Sequence, residues 1–135
     1  MEGVAVDTTF LIDLQREMER KNYDRGATRY LRQNLNTTFF LPVVALGEFL
    51  EGFETPSSPR AMEIAAEMLP LDVTADVAGT YSSLARELRM AGRLIGTNDL
   101  WIGCTAKVND LPILTRNVEH FSRISGLEIV NYSFQ

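Results

Sequence analysis

Short apolar runs alternating with longer stretches of helical periodicity predict an α/β protein built on a parallel sheet. Two further observations narrow this to one α/β/α sandwich around five parallel strands. The 135 residues supply one core for a domain spanning 1–135, because a chain of that size buries roughly 68% of its unfolded surface. There is also no internal repeat, low-complexity tract or linker, and the loosest stretch, residues 55–59, is too short to separate domains.

The first strand is GVAVD (3–7), and the run behind it starts a helix capped by Thr8 or Thr9, with Phe10, Leu11 and Leu14 turned inward. A second helix is expected over 24–35, bounded by Asn34 and Asn36, followed by the strand TFFLP (38–42). After Pro42, VVALGEFLEGF reads as a third helix despite Gly47. SPRAMEIAAEML reads as a fourth, with Ser57 or Ser58 as cap and Pro59 in its first turn. LPLDV (69–73) is the third strand, and residues 76–90 make a longer helix ended by Gly92. NDLWIGCTAKVN is a mostly buried sixth helix, and PILT (112–115) and EIVN (128–131) are the last strands. In such open sheets ligands bind outside the carboxyl ends of the strands, where the strand order reverses. The fourth strand is the expected neighbour of the first across that point.

Composition removes several kinds of chemistry. Cys104 is the only cysteine, so the chain has no intramolecular disulfide and no Cys-x-x-Cys spacing. His120 is the only histidine, which excludes a multi-histidine zinc site and obliges any Ser-His-Asp triad to run through it. No apolar run of membrane-spanning length and no leader pattern occurs, so the expected setting is the cytoplasm, away from membranes. The net charge of −5 argues against broad nonspecific binding of nucleic acid. Residues 16–32 run against that average, with Arg25, Arg29 and Arg32 at i, i+4 and i+7 on one helical face, either solvated or phosphate-contacting. Arg86, Arg89 and Arg93 form a second stripe at i, i+3 and i+7.

Catalysis therefore leans on carboxylates. Asp7 closes the first strand, at the carboxyl edge of the sheet near its middle, and reads either as a helix N-cap or as a reactive acid. Glu48 lies among Val44, Phe49 and Leu50, which implies partial burial, whereas Glu51 and Glu54 read as solvated. Asp99 stands with Asn98 at the mouth of an apolar helix, where either residue can serve the first turn. Thr115, Arg116 and Asn117 follow the fourth strand, and Asn117 can also begin a helix VEHF. Gathered together, three acids repel one another unless they hold a cation. An oxygen-only donor set suits Mg2+ or Mn2+, whose natural reaction here is metal-assisted phosphodiester hydrolysis. Trp101, Phe49 and Phe53 lie near the acids, where core packing outweighs base stacking, and Cys104 reads as packing.

In their order and spacing, VAVDTTFLIDL, VVALGEFLEG, IGTNDLWIGCTA and ILTRNVEHFSRISGLEIV resemble the PIN-domain family, most closely the VapC-type toxins of toxin-antitoxin pairs. The match runs from about residue 4 to 131. The resemblance implies a metal-dependent endoribonuclease with Asp7, Glu48 and Asp99 as acidic metal-holding residues, Asn117 at the fourth position, and Thr8 and Thr115 as supporting hydroxyls. Many members carry Asp where Asn117 stands; Asn still offers an oxygen ligand or a hydrogen bond to a metal-bound water. The resemblance further implies a homodimer, an RNA substrate, and a small cognate antitoxin whose tail covers the acidic groove. Arg25, Arg29, Arg32 and Arg116 are the candidates for guiding RNA. A receiver domain is disfavoured because Asp7 has no acidic neighbour and EIVNYSFQ has no Lys. A haloacid-dehalogenase-like phosphatase is disfavoured by Thr9, where a second Asp is needed. The remaining rival is a PIN-like protein-binding module without catalysis, favoured by Asn117 alone.

Overall fold

The computed structural model describes residues 2–134. Its five strands are β1 (Glu2–Val6), β2 (Thr37–Pro42), β3 (Leu69–Leu71), β4 (Ile113–Thr115) and β5 (Ile129–Asn131). All are parallel, in the order β3-β2-β1-β4-β5. The order reverses between β1 and β4, as expected, with Ala5 opposite Ile113 and Val6 opposite Leu114. Val4, Ala5 and Val6 are buried as a continuous run, the pattern of a central parallel strand covered on both faces.

The helices are α1 (Thr8–Glu19), α2 (Gly26–Gln33), α3 (Val43–Glu51), α4 (Pro59–Ala66), α5 (Ala75–Met90), α6 (Thr97–Val108) and α7 (Val118–Phe121); a 3-10 turn, Tyr132–Phe134, follows β5. Right-handed crossovers place α1 to α4 on one face of the sheet and α5 to α7 on the other. The packing agrees: α1 touches α2, α3 and α4, while α6 touches α5 and α7. Helix α3 also contacts α6, which brings the two helical layers together and sets Glu48 between them. Helix α6 is buried along Leu100, Ile102, Gly103, Cys104, Thr105 and Ala106. Cys104 is fully enclosed, and burial pushes its thiol up to about 11, in keeping with a packing role.

Several boundaries differ from those read in the sequence, each for a local reason. The first strand stops at Val6, and the cap of α1 is Asp7 rather than Thr8 or Thr9, because the Asp7 carboxylate accepts the Phe10 N–H at 3.0 Å. Helix α2 starts at Gly26 and not at 24, since Asp24 binds Arg29 and Arg32 from outside the helix. Ser58 precedes α4 without capping it and donates to the Thr55 carbonyl instead. Helix α5 is capped by Thr74, which accepts the Val77 N–H at 3.2 Å. Asn98 and Asp99 lie within the first turn of α6 and make no cap bond, which leaves both side chains available for tertiary contacts.

Helix α5 ends as anticipated. Gly92 takes φ +68°, and the Gly92 and Arg93 N–H groups return to the Arg89 and Leu88 carbonyls at 3.2 and 2.8 Å. This double bond is the Schellman arrangement. Gly79 sits inside the same helix with open space where a Cβ would go. The same substitution should therefore act with opposite sign at the two sites. Gly92→Ala is expected to lower urea-unfolding stability by about 1 kcal/mol through the left-handed backbone, and Gly79→Ala to raise it by about 0.8 kcal/mol through helix propensity.

Candidate active site

Asp7 leaves β1 in an extended conformation and is 1% exposed. Its Oδ1 accepts the Thr9 hydroxyl at 2.7 Å as well as the Phe10 N–H, and its Oδ2 accepts the Thr115 hydroxyl at 2.5 Å. Burial is the main force on this group and lifts its pKa to about 6. The bonds from Thr115, Thr9 and Phe10 counteract the rise, and the charge of Asp99 adds to it. The N-cap and reactive-acid readings of Asp7 are compatible in one side chain, because the cap bond engages only one of the two carboxylate oxygens.

The other acids are linked to Asp7 in a ring. Thr115 donates to Asp7 and accepts the Asn117 N–H at 2.8 Å. The Asn117 amide donates to Asp99 Oδ2 at 3.3 Å. The neighbour of Asp99, Asn98, donates to Glu48 Oε2 at 3.1 Å, and Thr8 donates to Glu48 Oε1 at 2.5 Å. Thr8 is the next residue after Asp7, so the ring closes through side-chain bonds and two pairs of chain neighbours. Glu48 is half-buried, while Glu51 and Glu54 are exposed, as their positions in α3 implied.

Among the described residues, Asp7 and Glu48 have no ion-pair partner and Asp99 has only His120. Nor do three His, Cys, Asp or Glu side chains converge there into a ready-made cation-holding group. The arrangement is a pair of interacting carboxylates, Asp7 and Asp99, with no Lys or Arg paired to either among the described residues, and Glu48 is joined to them through Thr8 and Asn98. Such a donor set fits Mg2+, which is typically held by one or two carboxylates and keeps several waters, better than a cation needing a full protein cage.

Other candidates fall elsewhere. Arg116 pairs with Asp13 at 2.7 Å, and Tyr132 donates to the same carboxylate at 2.6 Å. Arg29 and Arg32 converge on Asp24, whereas Arg25 precedes α2 and lines a cavity bordered by α1. Phe49 is buried edge-on to Phe53 with centroids 5.1 Å apart, and Trp101 stacks on Tyr81 at 3.8 Å, which leaves these rings to packing.

Three participants escaped the sequence reading. His120 Nδ1 lies 3.1 Å from Asp99 Oδ2 and 2.9 Å from Asn117 Nδ2. A ring carrying Nδ1–H donates to Asp99, and a ring with bare Nδ1 accepts from Asn117. The signal was its spacing of three residues after Asn117, one helical turn on. Thr9 and Asn98 were weighed only as caps, and their bonds to Asp7 and Glu48 depend on tertiary contacts that spacing alone does not reveal.

The raised pKa of Asp7 has a stability consequence. Ionisation of a buried acid is harder in the folded chain, so its contribution is fully present below the unfolded value near 4 and is lost as pH rises through about 6. In EDTA at pH 7.5, Asp7→Asn should be more stable than the parent by about 2–3 kcal/mol. The two unfolding curves should converge by about pH 4; a gap independent of pH would contradict the assignment.

The comparisons with known proteins agree with this fold. Ribonuclease VapC1 of Methanocaldococcus jannaschii is 26% identical over 129 residues, covering 93% of this chain and 85% of that protein. VapBC2 from Rickettsia felis, solved bound to a DNA fragment from its promoter, superposes with a TM-score of 0.79 at 22% identity, covering 96% of this chain and 98% of that one. VapBC-5 from Mycobacterium tuberculosis, a member of the VapBC family of toxin-antitoxin systems, gives 0.68 at 24% identity, covering 97% and 99%. At those identities the two structures speak for the fold. The pattern of the PIN domain itself matches residues 4–127, and on that match the chain belongs to the PIN domain family.

Proposed function

We propose that the chain is a divalent-metal-dependent endoribonuclease, the toxin of a toxin-antitoxin pair, cutting RNA phosphodiester bonds with water. The observation that carries this is the ring joining Asp7, Thr115, Asn117, Asp99, Asn98, Glu48 and Thr8 at the carboxyl edge of the sheet, where among the described residues His120 alone forms an ion pair with its acids. The VapC names of the relatives support the substrate class.

Asp7, Asp99 and Glu48 are the residues that would hold Mg2+ or Mn2+. The bound ion supplies charge neutralisation at the scissile phosphate and a water of lowered pKa. The chain's own groups do the rest. Thr115 and Thr9 fix both oxygens of Asp7, so its carboxylate has one orientation. Thr8 and Asn98 aim Glu48, whose partial exposure lets it take a proton from the attacking water. Asn117 adds a role that Asp could not fill without a proton: its amide donates to Asp99 and so relieves like-charge repulsion instead of adding to it. That bond supports the catalytic reading over a catalytically inactive module.

The same proposal includes a cognate antitoxin. Helices α1, α2 and α4 border a largely apolar groove of about 170 Å3 lined by Leu14, Met18, Leu31, Phe39, Ile64 and Met68 together with Glu63 and Glu67, and we assign its cover to that small partner. A homodimer and a cytoplasmic setting remain expectations of this reading. Among the described residues no helix is long and apolar enough to cross a membrane.

Purified protein should fragment total RNA in Mg2+ or Mn2+. EDTA should abolish the cleavage, and Asp99→Asn should slow it by about 100-fold or more. Saturating Mn2+ is expected to raise the parent's melting temperature by several degrees and that of Asp7→Asn by much less. A parent indifferent to the metal in both assays would refute the proposal.

A further inference from the structure

Away from the acidic ring, an open cavity of about 410 Å3 lies between α1, the turn before α2, and the 3-10 turn after β5. Asp13, Arg16, Glu17 and Arg20 border it from one face of α1, at i, i+3, i+4 and i+7, joined by Arg25 and Tyr132. Both carboxylates are already engaged. Asp13 accepts Arg116 Nε and the Tyr132 hydroxyl. Glu17 covers the start of α2, accepting the Ala27 N–H at 3.2 Å and both the N–H and the hydroxyl of Thr28 at 2.8 Å. Among the described residues the side chains of Arg16, Arg20 and Arg25 have no ion-pair partner. Arg29 and Arg32 differ in this respect, since both bind Asp24.

The cavity is thus walled by three guanidiniums without an ion-pair partner and two carboxylates, Asp13 paired with Arg116 and Glu17 held by neutral donors, a local excess of positive charge in a chain whose net charge is −5. It is also connected to the acidic ring. The Arg116 N–H lies 3.5 Å from the Thr9 hydroxyl that bonds Asp7, and its guanidinium holds Asp13 at the cavity wall. Arg16 comes nine residues after Asp7, about 13 Å along the helix axis.

We propose that this cavity seats backbone phosphates of the RNA strand a few nucleotides from the bond being cut. Arg16, Arg20 and Arg25 are the contacting groups, and their forked donors match phosphate oxygens. The proposal rests on the ribonuclease reading above. It explains how a net-acidic protein holds a polyanion: the strand is gripped at one basic cavity while its scissile phosphate reaches the metal-holding acids.

The test is anisotropy of a labelled single-stranded RNA of about 15 nucleotides against the uncleaving Asp99→Asn protein, from 50 to 200 mM salt. Adding Arg16→Gln, Arg20→Gln and Arg25→Gln together should weaken binding about tenfold or more and lower the log–log salt slope by about 2, at roughly 0.7 for each phosphate no longer neutralised. The matching triple Lys variant should keep most of that slope, which separates an effect of charge from an effect of misfolding. Triple Gln at Arg86, Arg89 and Arg93, exposed arginines outside the cavity, should leave affinity and slope unchanged. Binding unaffected by the first triple, or equally weakened by the Arg86, Arg89 and Arg93 triple, overturns the phosphate site and leaves the ribonuclease reading standing. Polyglutamate binding that depends on the three arginines, without RNA binding, assigns the cavity to an acidic protein segment and overturns it as well. A parent that neither binds nor cuts RNA brings down the ribonuclease reading itself.

Discussion

A carboxylate buried at the end of the central strand is the constraint around which the rest of this molecule is arranged. Asp7 is almost wholly buried where it stands, and an isolated charge there would be expensive. Three donors meet it: a backbone N–H from the first turn of α1, a hydroxyl from the second residue of that helix, and a hydroxyl from the end of β4. Each donor belongs to a segment whose position is set by the sheet. The setting of Asp7 is therefore a property of β1 and β4 lying side by side.

Topology explains why acids distant in sequence arrive together. With β1 central and the order reversing beside it, the chain segments leaving β1 and β4 start next to each other, and Thr115 and Asp7 meet there. Glu48 comes from α3, which follows directly on Pro42 at the end of β2 and reaches over to α6. Asp99 comes from the first turn of α6, where a negative side chain is favoured by the helix dipole. The four positions are supplied by four separate stretches of chain, and hydroxyl and amide side chains fill the spaces between them.

Much of this was legible in the sequence. Periodicity located all five strands within a residue or two, and the buried run of α6 was plain from LWIGCTA. Asp7, Asp99 and Asn117 could be singled out because each falls near a strand end or a helix start, and Glu48 because of its apolar neighbours. What could not be read is pairing. Nothing in the spacing of Arg25, Arg29 and Arg32 reveals that two of them close on Asp24 and the third lines a cavity bordered by α1. Likewise, the helical period of Asp13, Arg16, Glu17 and Arg20 is visible, but the fate of each charge is decided by Tyr132, Arg116 and the start of α2. Binding partners distant in sequence determine which charges stay available, and local pattern is silent on that.

Tyr132 bears on how the molecule opens. Its ring packs edge-on against Phe10 at 5.0 Å, and its hydroxyl is held by Asp13, so the three-residue edge strand β5 is fastened to the helix that Asp7 caps. An edge strand that short would ordinarily fray by itself. Here fraying must also release an aromatic contact and the Asp13 bond, so amide protons of β5 and of the first turns of α1 should exchange with solvent as one cooperative unit, at a rate set by the same opening event.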